Sequence, residues 1–272
     1  MVSFDFESAG GGGGGGDTNL TSDEVTAFSW HPGNTDWKLY FNDFAAYRSF
    51  NATNNAAYPG GTIGLSTVIS GTGRDQKASA TAYADRYGVI TNTVGTSAAA
   101  LAGFQQTLNN TFRFGDSRVK VGSAIKLIDL PDATEDWSFT FSLGDNSSVS
   151  STNCAAWYIQ NGVNATNWVT WNNGASTDYV DSGTAFSTSW AAIEIDIAAD
   201  LSSVKYYLNG TLEYTETRAA YIPVAGTKCN LSIVGRNSSG ATATHANTWE
   251  LDWAYLAFKP TNSRDTLTTW LT

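Results

Sequence analysis

Apolar and polar residues alternate over short runs along most of the chain, which is the pattern of β-strands with one buried face. The pattern is clearest in WAAIEIDI, residues 190–197, where the isoleucines share one face and Glu194 and Asp196 lie on the other. The next run, VKYYLNGTLEY, contains Asn209-Gly210 between two alternating stretches, the strongest short-range indication of a β-hairpin. We therefore predict three consecutive antiparallel strands in this region.

Similar runs predict further strands along the chain. The clearest are residues 137–143, 154–160, 167–171, 230–235 and 249–258, and weaker patterns occur at 24–30, 37–41, 63–69 and 112–121. Many short strands without strand–helix–strand alternation predict an all-β fold, an antiparallel jelly-roll sandwich.

One segment departs from the strand pattern. Residues 96–109, TSAAALAGFQQTLN, are rich in alanine and contain no proline, and Thr96 and Ser97 could cap a helix. We expect a helical insertion of about three turns here.

Three segments resemble a known family. W-x-x-I-x-I-x-I followed by an acidic turn and V-x-Y-Y-x-N-G-x-L, residues 190–212, resembles paired strands of concanavalin A-like lectin/glucanase (laminin-G-like) jelly-roll domains, of the kind found in bacteriophage virion proteins. The closing WELDWAYLAF and the opening VSFDFES resemble the last and first strands of such domains, which lie side by side. The resemblance implies one sandwich at 23–258, preceded by a strand and a glycine-rich arm at 1–22 and followed by a tail at 259–272.

The arm contains seven consecutive glycines. Fixing each of them costs roughly 1–2 kcal/mol of conformational entropy, so the run needs a surface that holds it. Without Cβ atoms, its backbone can approach another chain closely. We predict that these residues bind a partner subunit: Gly10, Gly11, Gly12, Gly13, Gly14, Gly15 and Gly16.

Charge narrows the classes of partner. The chain has 15 Lys and Arg against 25 Asp and Glu, a formal net charge of -10, which repels phosphate backbones and anionic lipids. We therefore expect neither nucleic acid nor membrane as a partner. No apolar run approaches the ~20 residues of a membrane-spanning helix, and the first residues lack a signal-peptide pattern. The expected location is a virion made in a host cytoplasm.

The acidic strand invites a catalytic interpretation. Glycoside hydrolases of this sandwich type carry Glu-x-Asp-x-(x)-Glu on one strand, and Glu194 and Asp196 match the first two positions. The positions that need the second glutamate hold Ala198 and Ala199. We expect no catalytic site and interpret Glu194 and Asp196 as solvent-facing strand residues.

Metal, thiol and histidine chemistry receive little support. Loop oxygens at 144–146 or 177–178 could bind calcium, but these residue types are also ordinary in turns, so no cofactor is expected. His31 and His245 lie in neither nucleophile nor zinc spacing. Cys154 and Cys229 sit in apolar runs and are interpreted as buried thiols, with a disulfide as the alternative.

A glycan is the best-supported small ligand. AAWYIQNGVNATNWVTWNNGASTDY places five aromatic residues among amides, and sugar sites combine aromatic rings with hydrogen-bonding side chains. We predict a glycan site at Trp168, Trp171, Asn172 and Asn173. Trp168 and Trp171 can share the outer face only if the strand bulges between them.

These features favour a non-enzymatic structural protein of an assembly. The expected setting is a bacteriophage virion, with the chain as a head decoration, spike or fibre subunit that contacts other virion subunits and forms a homo-oligomer. A carbohydrate-binding, lectin-like module is the alternative. A glycan-degrading enzyme is a further, weaker alternative, because this chain lacks the second catalytic glutamate of such enzymes.

Overall fold

The structure is a computed structural model that describes residues 38–42, 65–106 apart from 82, 84, 85 and 87, 113–131, 137–145, 152–160, 163–237 and 246–260. The predicted first strand, the glycine arm, the strand at 24–30 and the tail beyond 260 lie outside these residues.

The described residues form fifteen strands and no helix. The strands are β1 (Lys38–Asn42), β2 (Leu65–Ser70), β3 (Asp75–Ala78), β4 (Ile90–Val94), β5 (Leu101–Gln106), β6 (Ser117–Leu127), β7 (Trp137–Gly144), β8 (Cys154–Gln160), β9 (Asn164–Asn173), β10 (Thr177–Ala185), β11 (Trp190–Ile197), β12 (Val204–Leu208), β13 (Thr211–Glu216), β14 (Asn230–Asn237) and β15 (Asn247–Pro260). Within this part of the chain there is thus no helix with the length and apolarity needed to cross a membrane.

The strands make two antiparallel sheets. The eight-stranded sheet has the order β13-β12-β11-β6-β15-β4-β3, and β1 pairs with the later part of β15. The seven-stranded sheet has the order β10-β9-β8-β7-β14-β5-β2. The predicted all-β class is confirmed, since the two sheets form a β-sandwich of the jelly-roll kind.

The core lies between the two sheets and is rich in aromatic rings. The eight-stranded sheet contributes the isoleucines of β11, and the seven-stranded sheet contributes Trp157 and Trp168. The Trp157 ring meets Trp168 edge-on at a centroid distance of 5.9 Å and Tyr206 at 5.6 Å. Burying each such side chain contributes about 1.5–3 kcal/mol, so the alternating pattern of the strands is what holds the sandwich together.

The predicted hairpin is confirmed. β12 and β13 pair in antiparallel fashion around Asn209 and Gly210, whose φ angles are 49° and 83°. Both residues therefore adopt the left-handed conformation that a two-residue hairpin turn requires, which Asn-Gly supplies at low strain.

The helix predicted at 96–109 is wrong for the described part of that segment. Ala99 has a φ of 56°, which stops a helix, and the next residues form β5 between β14 and β2. Ala102 and Phe104 point into the core, while a Cβ on Gly103 would lie 2.1 Å from the Ile233 carbonyl oxygen. Pairing on both sides and burial of alternate residues override the helix propensity of alanine.

Both cysteines are buried free thiols, as the apolar runs around them indicate. Burial raises the pKa of Cys154 and of Cys229 well above the ordinary value of a thiol.

Candidate functional site

Three aromatic side chains form a cluster on the outer face of the seven-stranded sheet. They are Tyr158 on β8, Trp171 on β9 and Tyr179 on β10, and we call them the aromatic patch. Trp171 and Tyr179 face each other across the β9–β10 pair, and their rings stack at 5.8 Å with an angle of 13°. Tyr158 lies 5.7 Å from Trp171 and 5.9 Å from Tyr179.

Exposure differs strongly within the aromatic patch. Tyr179 is 44% exposed, whereas Trp171 is 7% exposed. Tyr179 belongs to β10, which is the edge strand of its sheet among the described residues and has every second residue facing solvent. Tyr179 is therefore the contact surface, and Trp171 supports it from below.

A polar network lies at one end of the aromatic patch. The Asp181 carboxylate accepts hydrogen bonds from the Asn164 and Asn167 side-chain amides at 2.8 and 3.0 Å. The pKa of Asp181 is lowered, first by the Gly183 backbone N–H and then by these two amides. Asp181 is consequently a fixed negative charge beside the aromatic rings.

The other end of the aromatic patch also carries polar groups. The Thr177 hydroxyl donates to the Asn173 side-chain oxygen at 3.0 Å. Thr177, Tyr179 and Asp181 alternate along β10, so they share one face about 7 Å apart. An aromatic surface is thus flanked on both sides by groups that can exchange hydrogen bonds with hydroxyls.

The structure separates the four residues predicted for glycan binding. Trp171 and Asn173 lie on the outer face, whereas Trp168 and Asn172 point inward and are buried. The register of β9 with both neighbouring strands is continuous from Val169 to Asn173, and its register shifts fall between Val169 and the earlier residues of the strand. Trp168 packs against Trp157 in the core, whereas Trp171 stacks on Tyr179 on the outer face, so the two tryptophans lie on opposite faces and Trp168 forms no exposed surface.

Tyr158 and Tyr179 belong to the aromatic patch, and they were among the five aromatic residues of the run that predicted a glycan site, although the four predicted site residues did not include them. All three residues lie in the run 155–179, and the pairing of β8, β9 and β10 brings their side chains into contact on one face. A signal was present in the alternation of TDYVDSGTA, which places Tyr179 on the solvent face of a strand.

The prediction that Glu194 and Asp196 face solvent is wrong. Glu194 is 5% exposed and Asp196 is 3% exposed. Both lie on the outer face of the eight-stranded sheet, but β11 is an inner strand of that sheet, and Arg118 of β6 and Tyr255 of β15 contact them. Arg118 holds Asp196 through two hydrogen bonds, from Nε at 2.9 Å and from Nη2 at 2.5 Å.

Glu194 is engaged by a tyrosine that reaches across β6. Glu194, Gly122 and Tyr255 are in register on β11, β6 and β15, and the Tyr255 hydroxyl donates to the Glu194 carboxylate. A Cβ on Gly122 would lie 2.3 Å from a Tyr255 ring atom, so the glycine makes room for this contact.

The described residues contain no group of three or more side chains suited to hold a metal ion. The Asp145 carboxylate accepts hydrogen bonds from Thr152 and Asn153, and Asp178 pairs with Arg218. Asn146, His31 and His245 lie outside the described residues.

Comparison with protein families finds no family model that matches this chain, and no curated protein matches it. A protein of unknown function from Shewanella oneidensis MR-1 has a similar structure, with 14% identity and a TM-score of 0.55 over 90% of this chain and 95% of that one. Two other solved structures are similar in part. A carbohydrate esterase from the Shiga toxin-encoding bacteriophage phi24B is 13% identical over 71% of this chain and 90% of its own, with a TM-score of 0.47. The carbohydrate recognition domain of Emp47p is 9% identical over 70% and 90%, with a TM-score of 0.43. At these identities the first likeness shows the fold alone.

Proposed function

We propose that this chain is a lectin-like subunit of a larger assembly, a bacteriophage virion, and that it binds a surface glycan through the aromatic patch without catalysing a reaction. The observation that carries the proposal is the exposed Tyr179 ring, stacked on Trp171 and flanked by polar side chains on the outer face of the seven-stranded sheet.

The geometry suits a sugar ring. A pyranose has an apolar face of C–H groups and a rim of hydroxyls, so it binds best where an aromatic ring adjoins hydrogen-bonding groups. Asp181 and Thr177 stand one alternate position to either side of Tyr179, about 7 Å away along the strand. A sugar that rests on Tyr179 has acceptors and donors within reach at both ends.

The aromatic patch is also preorganised. Trp171 packs against both tyrosines, and Asn164 and Asn167 fix the Asp181 carboxylate. Side chains that are already held in place lose little entropy on binding, which favours affinity.

The absence of catalysis is part of the proposal. A retaining glycosidase needs two carboxylates free to act as nucleophile and as acid/base. In this chain Tyr255 engages Glu194, and Arg118 engages Asp196. We expect that incubation of the protein with the glycan it binds releases no new reducing ends. Hydrolysis of that glycan by the wild type, lost in the Glu194→Gln variant, would contradict the proposed absence of catalysis.

Support for the assembly comes from the seven glycines at 10–16. A contact with another chain would offset the conformational entropy that these glycines lose when they become ordered. We expect rapid amide hydrogen exchange over 10–17 in the isolated protein and slow exchange in the particle. Full protection in the isolated protein contradicts an intersubunit role.

The test of glycan binding is a glycan array probed with the wild type and with Tyr179→Ala. The variant is expected to lose at least tenfold in affinity for the glycans that the wild type binds, which corresponds to about 1.4 kcal/mol. Tyr179→Phe keeps the ring and is expected to retain most of the affinity. Leu212→Ala is the matched control, because Leu212 is 49% exposed on the other sheet. A wild type that binds no glycan, or a Tyr179→Ala variant that binds equally well, overturns the proposal.

A further inference from the structure

A pocket of about 530 Å³ opens on the outer face of the eight-stranded sheet, on the other side of the sandwich from the aromatic patch. It lies where β11 ends and β12 begins, beside the start of β6 and the end of β15. Its polar lining consists of Arg118, Asp196, Ser203, Lys205 and Lys259. Its volume is within the roughly 300–1,000 Å³ typical of sites for small molecules.

The lining is cationic although the protein is acidic. Arg118, Lys205 and Lys259 carry three positive charges against the one negative charge of Asp196, which leaves +2 in a chain whose net charge is -10. The whole chain has ten more acidic than basic residues, whereas the pocket is lined by three basic residues and one acidic residue. Such local concentration of one sign favours binding of the opposite sign.

The single carboxylate is already neutralised. Asp196 is buried, accepts two hydrogen bonds from Arg118, and has Lys120 Nζ 3.9 Å from its Oδ2. Lys120 is itself buried behind the pocket. Asp196 is therefore a positioning residue that fixes Arg118, and it does not cancel the field of the two lysines.

Lys205 and Lys259 have no acidic partner within the part of the chain that the structure describes. They come from different strands, β12 and β15, and converge on the pocket from two sides. Two ammonium groups that form no ion pair with the described residues, next to a fixed guanidinium and the Ser203 hydroxyl, are the donors that an oxyanion requires.

We propose that this pocket binds an oxyanion, either the carboxylate of an acidic sugar or a free phosphate or sulfate. The charge-assisted hydrogen bonds of Lys205 and Lys259 hold the anion, and the field of Arg118 adds to them. The site is separate from the aromatic patch, so its existence does not depend on the function proposed above.

The test is calorimetric titration of the full chain at low ionic strength with four ligands. Inorganic phosphate and sulfate probe for a free oxyanion, D-glucuronate probes for a carboxylate on a sugar, and D-glucose is the neutral counterpart. We expect at least one of the three anions to bind and D-glucose not to bind. Which anion binds distinguishes the two sources.

The double variant Lys205→Met/Lys259→Met tests whether these two lysines hold the anion. It is expected to weaken anion binding at least tenfold, while Lys228→Met, which removes an exposed lysine outside the pocket, leaves binding unchanged. The proposal is overturned where no anion binds the wild type, where D-glucose binds as tightly as D-glucuronate, or where the double variant binds like the wild type.

Discussion

The hydrogen bond between Tyr206 and Asn172 links the two sheets through the core, and its removal tests the placement of both residues. Tyr206 lies on β12 and Asn172 on β9, both side chains are fully buried, and the hydroxyl donates to the Asn172 side-chain oxygen at 2.6 Å. Tyr206→Phe deletes the hydroxyl and leaves the ring against Trp157. The substitution therefore isolates the hydrogen bond from the packing.

The expected loss of stability follows from burial. Without the hydroxyl, the Asn172 oxygen loses its donor in a site that is closed to water, which costs about 1–3 kcal/mol. We expect a decrease of about 2 kcal/mol in the free energy of unfolding, or a Tm lower by about 4–8 °C for a chain of this size. Urea denaturation measures it as a lower midpoint with an unchanged slope.

Two controls make this prediction specific. Tyr179→Phe removes an exposed tyrosine hydroxyl and is expected to change stability by less than about 0.5 kcal/mol. In an Asn172→Leu background, Tyr206→Phe is expected to cost much less, because no buried oxygen is left without a donor. A Tyr206→Phe variant as stable as the wild type, or equal losses in both backgrounds, refutes the reasoning.

Three further predictions concern other parts of the sandwich. Gly210→Val places a β-branched residue at a φ of 83° and is expected to destabilise the fold by about 1–3 kcal/mol, and an unchanged thermal melt contradicts the hairpin assignment. Burial alone raises the pKa of Glu216, but hydrogen bonds from Arg218 lower it below its ordinary value of 4.5, so this carboxylate stabilises the fold above that pH and the contribution is lost as the pH falls. Arg218→Met is expected to lower the denaturation midpoint most at neutral pH and progressively less on acidification, and a loss independent of pH argues against the pair. The thiols of Cys154 and Cys229 are buried with raised pKa values, so a thiol reagent at pH 8 is expected to label them only after denaturation, and rapid labelling of the native protein contradicts their placement.

The sequence predicted correctly those elements whose conformation is determined by neighbouring residues alone. Asn209-Gly210 defines the hairpin because the turn needs two left-handed residues, and the isoleucines of β11 identify an inner face by strict alternation. The helix prediction for residues 96–106 failed because it relied on the local helix propensity of alanine. The strands that impose an extended conformation on β5 are β2 and β14, which are distant in the sequence.

The candidate site could not be predicted correctly from the sequence of a single strand, because it depends on how the strands pair and on which face of the sheet is buried. Alternation puts Trp168 and Trp171 on opposite faces, but which face is the core is decided by the sandwich as a whole. The burial of Glu194 likewise depends on Tyr255, sixty-one residues away along the chain. The aromatic patch forms through strand register, so the contact between its three side chains can be recognised only when the strand pairing is known.

The central claim is that a glycan binds on the aromatic patch, and NMR titration of the wild type with a glycan selected on the array tests it most directly. The chain has ten tryptophans, and their indole N–H signals can be followed one by one. We predict that the signals of Trp171 and of the Tyr179 backbone shift with saturation on addition of glycan, and that the indole signal of the core residue Trp168 does not. Shifts confined to other tryptophans, or to residues around Lys205 and Lys259, contradict the claim.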